Sequence, residues 1–312
     1  MLIDAFHDLY NLTFRIENAF LNLIKIPAIL RLMILSLANF CIPLLFSIKT
    51  GQSNFCLEES GREQVDFVVS LTSFPERIAK VHLVVESLLR QTVIPKKIVL
   101  WLSREQFNSL DVLPKKLLDL QGRGLEIHLM PGDLRSYKKY YYLLQDQPDT
   151  SFIIVDDDIF YPSTLIENLI STHTQYPNAV CANRCARINS EKPYREWISV
   201  KGLALEPCFN LLPTGCGGVL YPSGSLHSDA LNEPLFTKIC KDADDIWLSN
   251  AAYLNNTPTA YTGKNEYLLS VYSIGNVHLH TKNVGESNND QKIELVKKHY
   301  QSTTKANVFN RN

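Results

Sequence analysis

Between residues 65 and 172 the chain alternates short β-rich runs with helical stretches, and this alternation restricts the possible architectures more than any other feature. VDFVVSL (65–71) reads as a buried strand, 79–91 as a helix with Val81, Val84, Val85, Leu88 and Leu89 inward, and 98–102 as a second strand. Pro95 is expected to break the helix before that strand. A strand at 125–130, a helix at 136–144, a strand at 151–155 and a helix at 162–172 complete the series. Such a series predicts an α/β fold, a Rossmann-like, mostly parallel sheet flanked by helices, whose ligands bind beyond the carboxyl ends of its strands. Past residue 180 the text is less regular: TGCGG places Gly215, Gly217 and Gly218 together, and helices are expected at 244–254 and 290–300. This second half reads as a substrate-shaping part of the same sheet.

The charges narrow the function. Lys and Arg number 31 against 32 Asp and Glu, with no long run of one sign, so a nucleic-acid partner is not expected. Hydrophobic residues at 45% and charged ones at 20% exclude a disordered chain. Seven cysteines form an odd set with no CxxC pair, which favours a reducing compartment and places the catalytic part on the cytoplasmic side.

The first fifty residues have a different character. Positions 32–48 carry no ionisable side chain except the thiol of Cys41, a stretch slightly short of the ~20 apolar residues that a bilayer requires. Before it, Leu9, Leu12, Ile16, Phe20 and Leu23 recur at helical spacing, opposite Asp8, Asn11, Arg15 and Asn18. Two readings follow: membrane association, and helices packed on the globular part. The expected organisation is a helical apolar appendage at 1–50, a linker at 51–64 and a globular unit at 65–312, whose halves, 65–183 and 184–312, differ in regularity.

The strand SFIIV runs directly into Asp156, Asp157 and Asp158. Crowding like charges at the end of a buried strand is costly unless a cation is near. Alternation along an extended chain sends Asp156 and Asp158 one way and Asp157 the other. Hard Mg²⁺ or Mn²⁺ ions take such oxygens and retain positions for phosphate, so a metal bridging a diphosphate is expected here. The plainer alternative is a solvated turn with one aspartate capping the next helix.

SLTSFPERI, ESLLRQTVIPKKIVLWLS, LRSYKKYYYLL and IIVDDDIFYP, in that order, resemble the nucleotide-binding half of GT-A glycosyltransferases, especially glycosyltransferase family 2 and bacterial surface-polysaccharide enzymes. The DDD triplet followed much later by ADDIWL is more loosely similar to the exostosin-like transferases. The resemblance implies a GT-A glycosyltransferase domain at 65–312, with a nucleotide-sugar-binding half (65–183) and an acceptor-binding half (184–312), and a DxD-type motif, with Asp158 as direct metal ligand, Asp156 as a further ligand, and Asp156 and Asp157 available to the donor's ribose or sugar. It further implies that Thr72 and Arg77 hold the nucleoside, and that Arg135, Lys138 and Lys139 meet base or phosphate; a solvated basic face is the alternative for those three. A late histidine, His280, matches a further metal ligand in some GT-A enzymes, although a structural histidine is the commoner case.

Asp245, with Asp244 as runner-up, matches the acidic residue that faces the acceptor hydroxyl, as general base in an inverting enzyme or as a positioning group in a retaining one. Capping the helix at 244–254 is the rival reading. The expected activity is therefore metal-dependent hexosyl transfer, with Mn²⁺ or Mg²⁺, from a nucleotide sugar, UDP-sugars favoured, to a hydroxyl of a glycan or lipid-linked glycan. A sugar nucleotidyltransferase and a non-catalytic membrane-associated glycan-binding protein are the alternatives. The first typically carries a glycine- and basic-rich signature near the first strand, which SLTSFPERI lacks.

Overall fold

The computed structural model describes residues 2–309 apart from 17, 50–54, 59–60, 265–266, 273–287 and 307. Three helices open the chain: α1 (Leu2–Thr13), α2 (Ala19–Leu23) and α3 (Ile26–Lys49). The alternating region supplies β1 (Gln64–Thr72), α4 (Pro75–Leu89), β2 (Ile94–Ser103), α5 (Lys115–Leu118), β3 (Leu125–Met130), α6 (Tyr141–Asp146), β4 (Phe152–Ile154), β5 (Ile159–Phe160), α7 (Leu165–Gln175) and β6 (Val180–Ala182). The remainder contributes β7 (Cys185–Arg187), β8 (Ile198–Ser199), β9 (Leu205–Cys208), β10 (Leu211–Pro213), β11 (Val219–Tyr221), α8 (Glu233–Ile239), α9 (Asp244–Leu254), β12 (Thr259–Tyr261), β13 (Leu269–Ser270) and α10 (Asn288–Thr303).

Eight strands form one sheet in the order β3-β2-β1-β4-β11-β6-β12-β9. Its β3-β2, β2-β1, β1-β4 and β6-β12 ladders are parallel, while β11 runs against both neighbours and β9 against β12. Two small antiparallel sheets, β10-β7-β8 and β13-β5, flank it.

Period-two alternation gives the large sheet two apolar faces. Val69, Leu71, Leu100 and Ile153 pack with α3, α4 and α7, whereas Val68, Val99, Phe152 and Ile154 pack with α6, α8, α9 and α10. Trp247 of α9 is fully buried in the second layer, beside the rings of Phe236 and Tyr300.

The structure departs from the sequence reading in two places that matter for the site. Pro95 does not precede the second strand but lies inside it, opposite Val65 of β1. It is tolerated because β3 joins β2 only from Ile98 onward, so its missing N–H leaves no gap in that ladder. The expected helix at 136–144 is a 3₁₀ turn, Arg135–Lys139, followed by α6, with Tyr140 at φ −129°, ψ −27° between them. Arg135 itself has φ 53°, a left-handed conformation incompatible with helix, so its side chain and the two lysines diverge.

Replacing Trp247 by Ala is expected to lower the unfolding free energy by about 3–5 kcal/mol, because the cavity opens among well-packed aromatic rings. Urea denaturation of the full chain measures it.

Candidate active site

The chain moves outward from β1 through β2 and β3 and then returns to β4 on the other side of β1. Crossovers therefore leave β1 and β4 in opposite directions, and the crevice beyond their carboxyl ends is where such a sheet admits a ligand. Groups from both helical layers meet there.

From the α4 side comes Arg77, in the first turn of a helix started by Pro75. Its Nη1 lies 2.7 Å from Asp157 Oδ1 and 3.0 Å from Asp158 Oδ2. Ser73 Oγ donates to the other Asp157 oxygen at 2.5 Å. Asp157 is thus consumed in tying the loop after β1 to the loop after β4, and its side chain is only 6% exposed. Asp156 and Asp158 remain accessible, at 29% and 28%. The buried Tyr161 hydroxyl accepts the Asp156 peptide N–H at 2.7 Å and fixes the start of the turn.

From the α9 side come Asp244 and Asp245. No side chain caps this helix and Ala243 is its N-cap residue, so neither aspartate is spent on capping. Lys139 Nζ makes a short contact with Asp156 Oδ1 and lies 3.4 Å from Asp244 Oδ2. Ser70 of β1 donates to the Lys139 carbonyl and accepts from Trp101 Nε1, which pins the lysine's turn to the middle of the sheet.

Gly215, in the β10–β11 connection, donates its N–H to Asp245 Oδ1 at 2.9 Å. A β-carbon on Gly215 would stand 3.3 Å from Asp245 Oδ1 and 3.6 Å from Asp156 Oδ1, so both carboxylates border this one backbone position. Gly217 is required for a related reason: a β-carbon there would fall 2.5 Å from that of Arg184.

Electrostatics follow from this crowding. Burial, Asp244 and Asp156 push the Asp245 carboxyl up to about 8, against Lys139 and the Gly215 N–H. Burial and the neighbouring Asp156 and Asp157 push Asp158 up to about 6, against Arg77 and Lys139. Burial opposes a charge on Lys139, but Asp156, Asp244 and Asp245 more than reverse that and keep it protonated. Two fixed cations therefore face five carboxylates.

A divalent ion fits this donor set. Asp156 and Asp158 offer accessible hard oxygens, the type that Mg²⁺ and Mn²⁺ take one or two at a time while leaving positions for phosphate. Among the described residues no three His, Cys, Asp or Glu side chains gather closely enough to hold a metal by themselves. The part of the Asp158 shift that comes from its neighbours Asp156 and Asp157 is like-charge repulsion, which a nearby cation would offset.

Of the residues singled out from sequence, Arg77, Lys139, Asp156, Asp157, Asp158, Asp244 and Asp245 come together. Three others are engaged elsewhere. Thr72 Oγ1 donates to the Trp101 carbonyl at 2.7 Å, Lys138 Nζ pairs with Asp133 at 2.5 Å, and Arg135 Nη1 pairs with Asp242 at 3.1 Å. His280 lies outside the described residues. Sequence reasoning missed Ser73 and Tyr161. Alternation past the end of β1 would have pointed to Ser73, on the side opposite Thr72, whereas Tyr161 has no local signal because the turn after Asp158 brings it back.

No family model matches the sequence, and no curated protein does. The fold is similar to several solved structures at low identity. One is residues 1–349 of TarS from S. aureus in complex with UDP-GlcNAc: TM-score 0.44, 12% identity, 77% of this chain and 74% of that one covered. Another is the mannosyltransferase PcManGT from Pyrobaculum calidifontis with GDP-Man and Mn²⁺: TM-score 0.46, 10% identity, coverage 86% and 74%. A third is UDP-glucose pyrophosphorylase from Acinetobacter baumannii: TM-score 0.42, 10% identity, coverage 77% and 95%.

Arg77→Met strands the Asp157 charge and is expected to cost about 3–5 kcal/mol at pH 7. Burial already holds the folded Asp157 carboxyl above its unfolded value of 3.8 in the wild type, against Arg77 and Ser73, and losing Arg77 raises it further, so the variant's folded state takes up protons more readily and the deficit shrinks as pH falls toward 5. Denaturant melts of wild type and variant at the two pH values measure both effects.

Proposed function

We propose that this chain is a metal-assisted glycosyltransferase that transfers a hexose-type unit from a nucleotide sugar, a UDP-sugar foremost, to a hydroxyl of a glycan or lipid-linked glycan, as in the assembly of a surface polysaccharide. The observation that carries the reading is the convergence of Asp156 and Asp245 on Gly215. It sets an accessible acidic motif beside a carboxyl with a raised pKa, in the crevice between β1 and β4.

Asp156 and Asp158 are the residues that would hold Mn²⁺ or Mg²⁺, which when bound neutralises charge on the departing nucleoside diphosphate. Arg77 and the buried Asp157 keep the aspartate turn in place, and Lys139 orients Asp156 and Asp244. Asp245 is the general base of the reading. Its carboxyl titrates near 8, close to working pH, and the Gly215 N–H favours its ionised form. An acceptor hydroxyl beside Oδ2 would pass its proton there while attacking the sugar's anomeric carbon. Asp244 serves as a positioning group, and the cations of Arg77 and Lys139 lie where a diphosphate would enter. The apolar α3 supports membrane association, with the catalytic part on the cytoplasmic side; its 23-residue stretch, Ile26–Ile48, has a mean hydropathy of 2.1 and is long enough to cross a bilayer.

A panel of UDP-, GDP- and CMP-sugars with Mn²⁺ is expected to show release of the nucleoside diphosphate from one donor. Asp158→Asn lowers that signal by roughly 100-fold or more, and Asp245→Asn lowers kcat by about 10²–10⁴-fold and flattens the rise of kcat/KM toward pH 8. Silence of the folded wild type across the panel contradicts the reading. Pyrophosphate formed from a nucleoside triphosphate and a sugar phosphate would assign the site to nucleotidyl transfer instead.

A further inference from the structure

We infer that the N-terminal helical layer is an in-plane bilayer-binding surface, one that seats the protein on the membrane without crossing it. The proposal is independent of which reaction the aspartate site performs.

The apolar stretch is engaged on one side along its whole length. Ile34, Ala38, Ile42 and Phe46 recur every fourth residue and are buried. Phe46 covers the guanidinium of Arg90, the residue that ends α4, at 4.3 Å from its ring centre. Asn39 donates to the Ser270 carbonyl at 2.9 Å and accepts from the Tyr272 N–H at 2.7 Å. In α1, His7 bonds the Phe160 carbonyl and Asp4 accepts the Ser163 N–H at 2.8 Å. A helix fixed lengthwise in this way cannot stand upright in a bilayer while the α/β part remains in water. A span would have to release every one of these contacts.

The opposite face of α3 is uncovered. Ile29, Met33, Leu37, Phe40, Leu44 and Ile48 form a straight stripe at helical spacing, each more than half exposed. Fourteen of the nineteen exposed large apolar side chains among the described residues fall between Leu2 and Ile48, so the exposure is a single patch and not scatter.

The chemistry of the patch selects lipid over a second copy of the chain. None of the exposed side chains of α3 between positions 28 and 48 is ionisable. Its exposed hydroxyls are those of Ser36 and Ser47, and Ser47 already donates to the Pro43 carbonyl at 2.9 Å. Protein interfaces surround an apolar centre with a polar rim and form roughly one hydrogen bond per 100–200 Å². A face with almost nothing to donate or accept fits hydrocarbon, where polar groups must be satisfied internally. Exposed Arg15, between α1 and α2, and exposed Lys25, between α2 and α3, match lipid phosphates.

The attachment also sets the site's position. Val271 donates to the Asp158 carbonyl at 2.7 Å, and its neighbours Ser270 and Tyr272 are the residues that Asn39 holds. One layer of backbone therefore separates the membrane-facing helix from the acidic turn.

The full-length protein is mixed with neutral phosphatidylcholine vesicles and floated on a density gradient. Wild type is expected to float, and Leu37→Glu/Phe40→Glu, both at exposed positions, to partition at least tenfold less while melting at the wild-type temperature. Lys25→Cys and Glu58→Cys bracket α3; an impermeant maleimide added outside the vesicles labels both above the wild-type background if the helix lies in the plane. Labelling of only one before detergent is added would show a span and overturn the proposal. So would wild type that fails to float, or that is a lipid-free dimer dispersed by the double substitution.

Discussion

Like charge crowded at the open edge of a buried sheet is the constraint on which the rest of this structure depends. Asp156, Asp157 and Asp158 leave β4 in succession, and Asp244 and Asp245 approach from α9, with Arg77 and Lys139 the cations that form ion pairs with them among the described residues. A group this unbalanced is tolerated because its carboxylates are not all accommodated in the same way. Asp157 is buried and tied down, Asp156 and Asp158 stay partly exposed, and the Asp245 carboxyl is pushed up to about 8 by burial and by Asp244. In the proposed function, this residual negative charge is what a divalent ion arriving with a diphosphate would relieve.

The sheet makes that crowding possible. Its two apolar layers lock β1 and β4 side by side, and their crossovers leave in opposite directions, so the crevice between them is formed by rigid strand ends. Antiparallel β11 then returns the glycine loop to the same edge, which is why a backbone N–H from Gly215 reaches Asp245. The ionisable groups of the site sit on elements from both layers, so neither layer alone can assemble it.

Much of this was legible in the sequence. The period-two runs of β1, β2 and β4 and the inward stripe of α4 announce a helix-flanked sheet, and DDD after SFIIV marks the strand end where the carboxylates gather. What was hidden depends on contacts between distant segments. Lys138 and Lys139 look equivalent in sequence, but the 3₁₀ turn sends one to Asp133 and the other to Asp156. Thr72 looks like a ligand-facing hydroxyl, but it sits where the Trp101 carbonyl of the neighbouring strand takes it. The N-terminal stretch was readable as apolar, yet only its packing against Phe160, Ser163 and Ser270 shows that it lies along the domain.

The most direct test of this account is a calorimetric titration of UDP into the full-length protein at pH 7.5, with and without Mn²⁺. If a divalent cation and a diphosphate jointly relieve the carboxylate crowding, UDP binds at least tenfold more tightly with Mn²⁺, and Mn²⁺ reciprocally binds more tightly with UDP. Equal affinity in the two titrations, or no nucleoside diphosphate binding by the folded protein, would contradict the account.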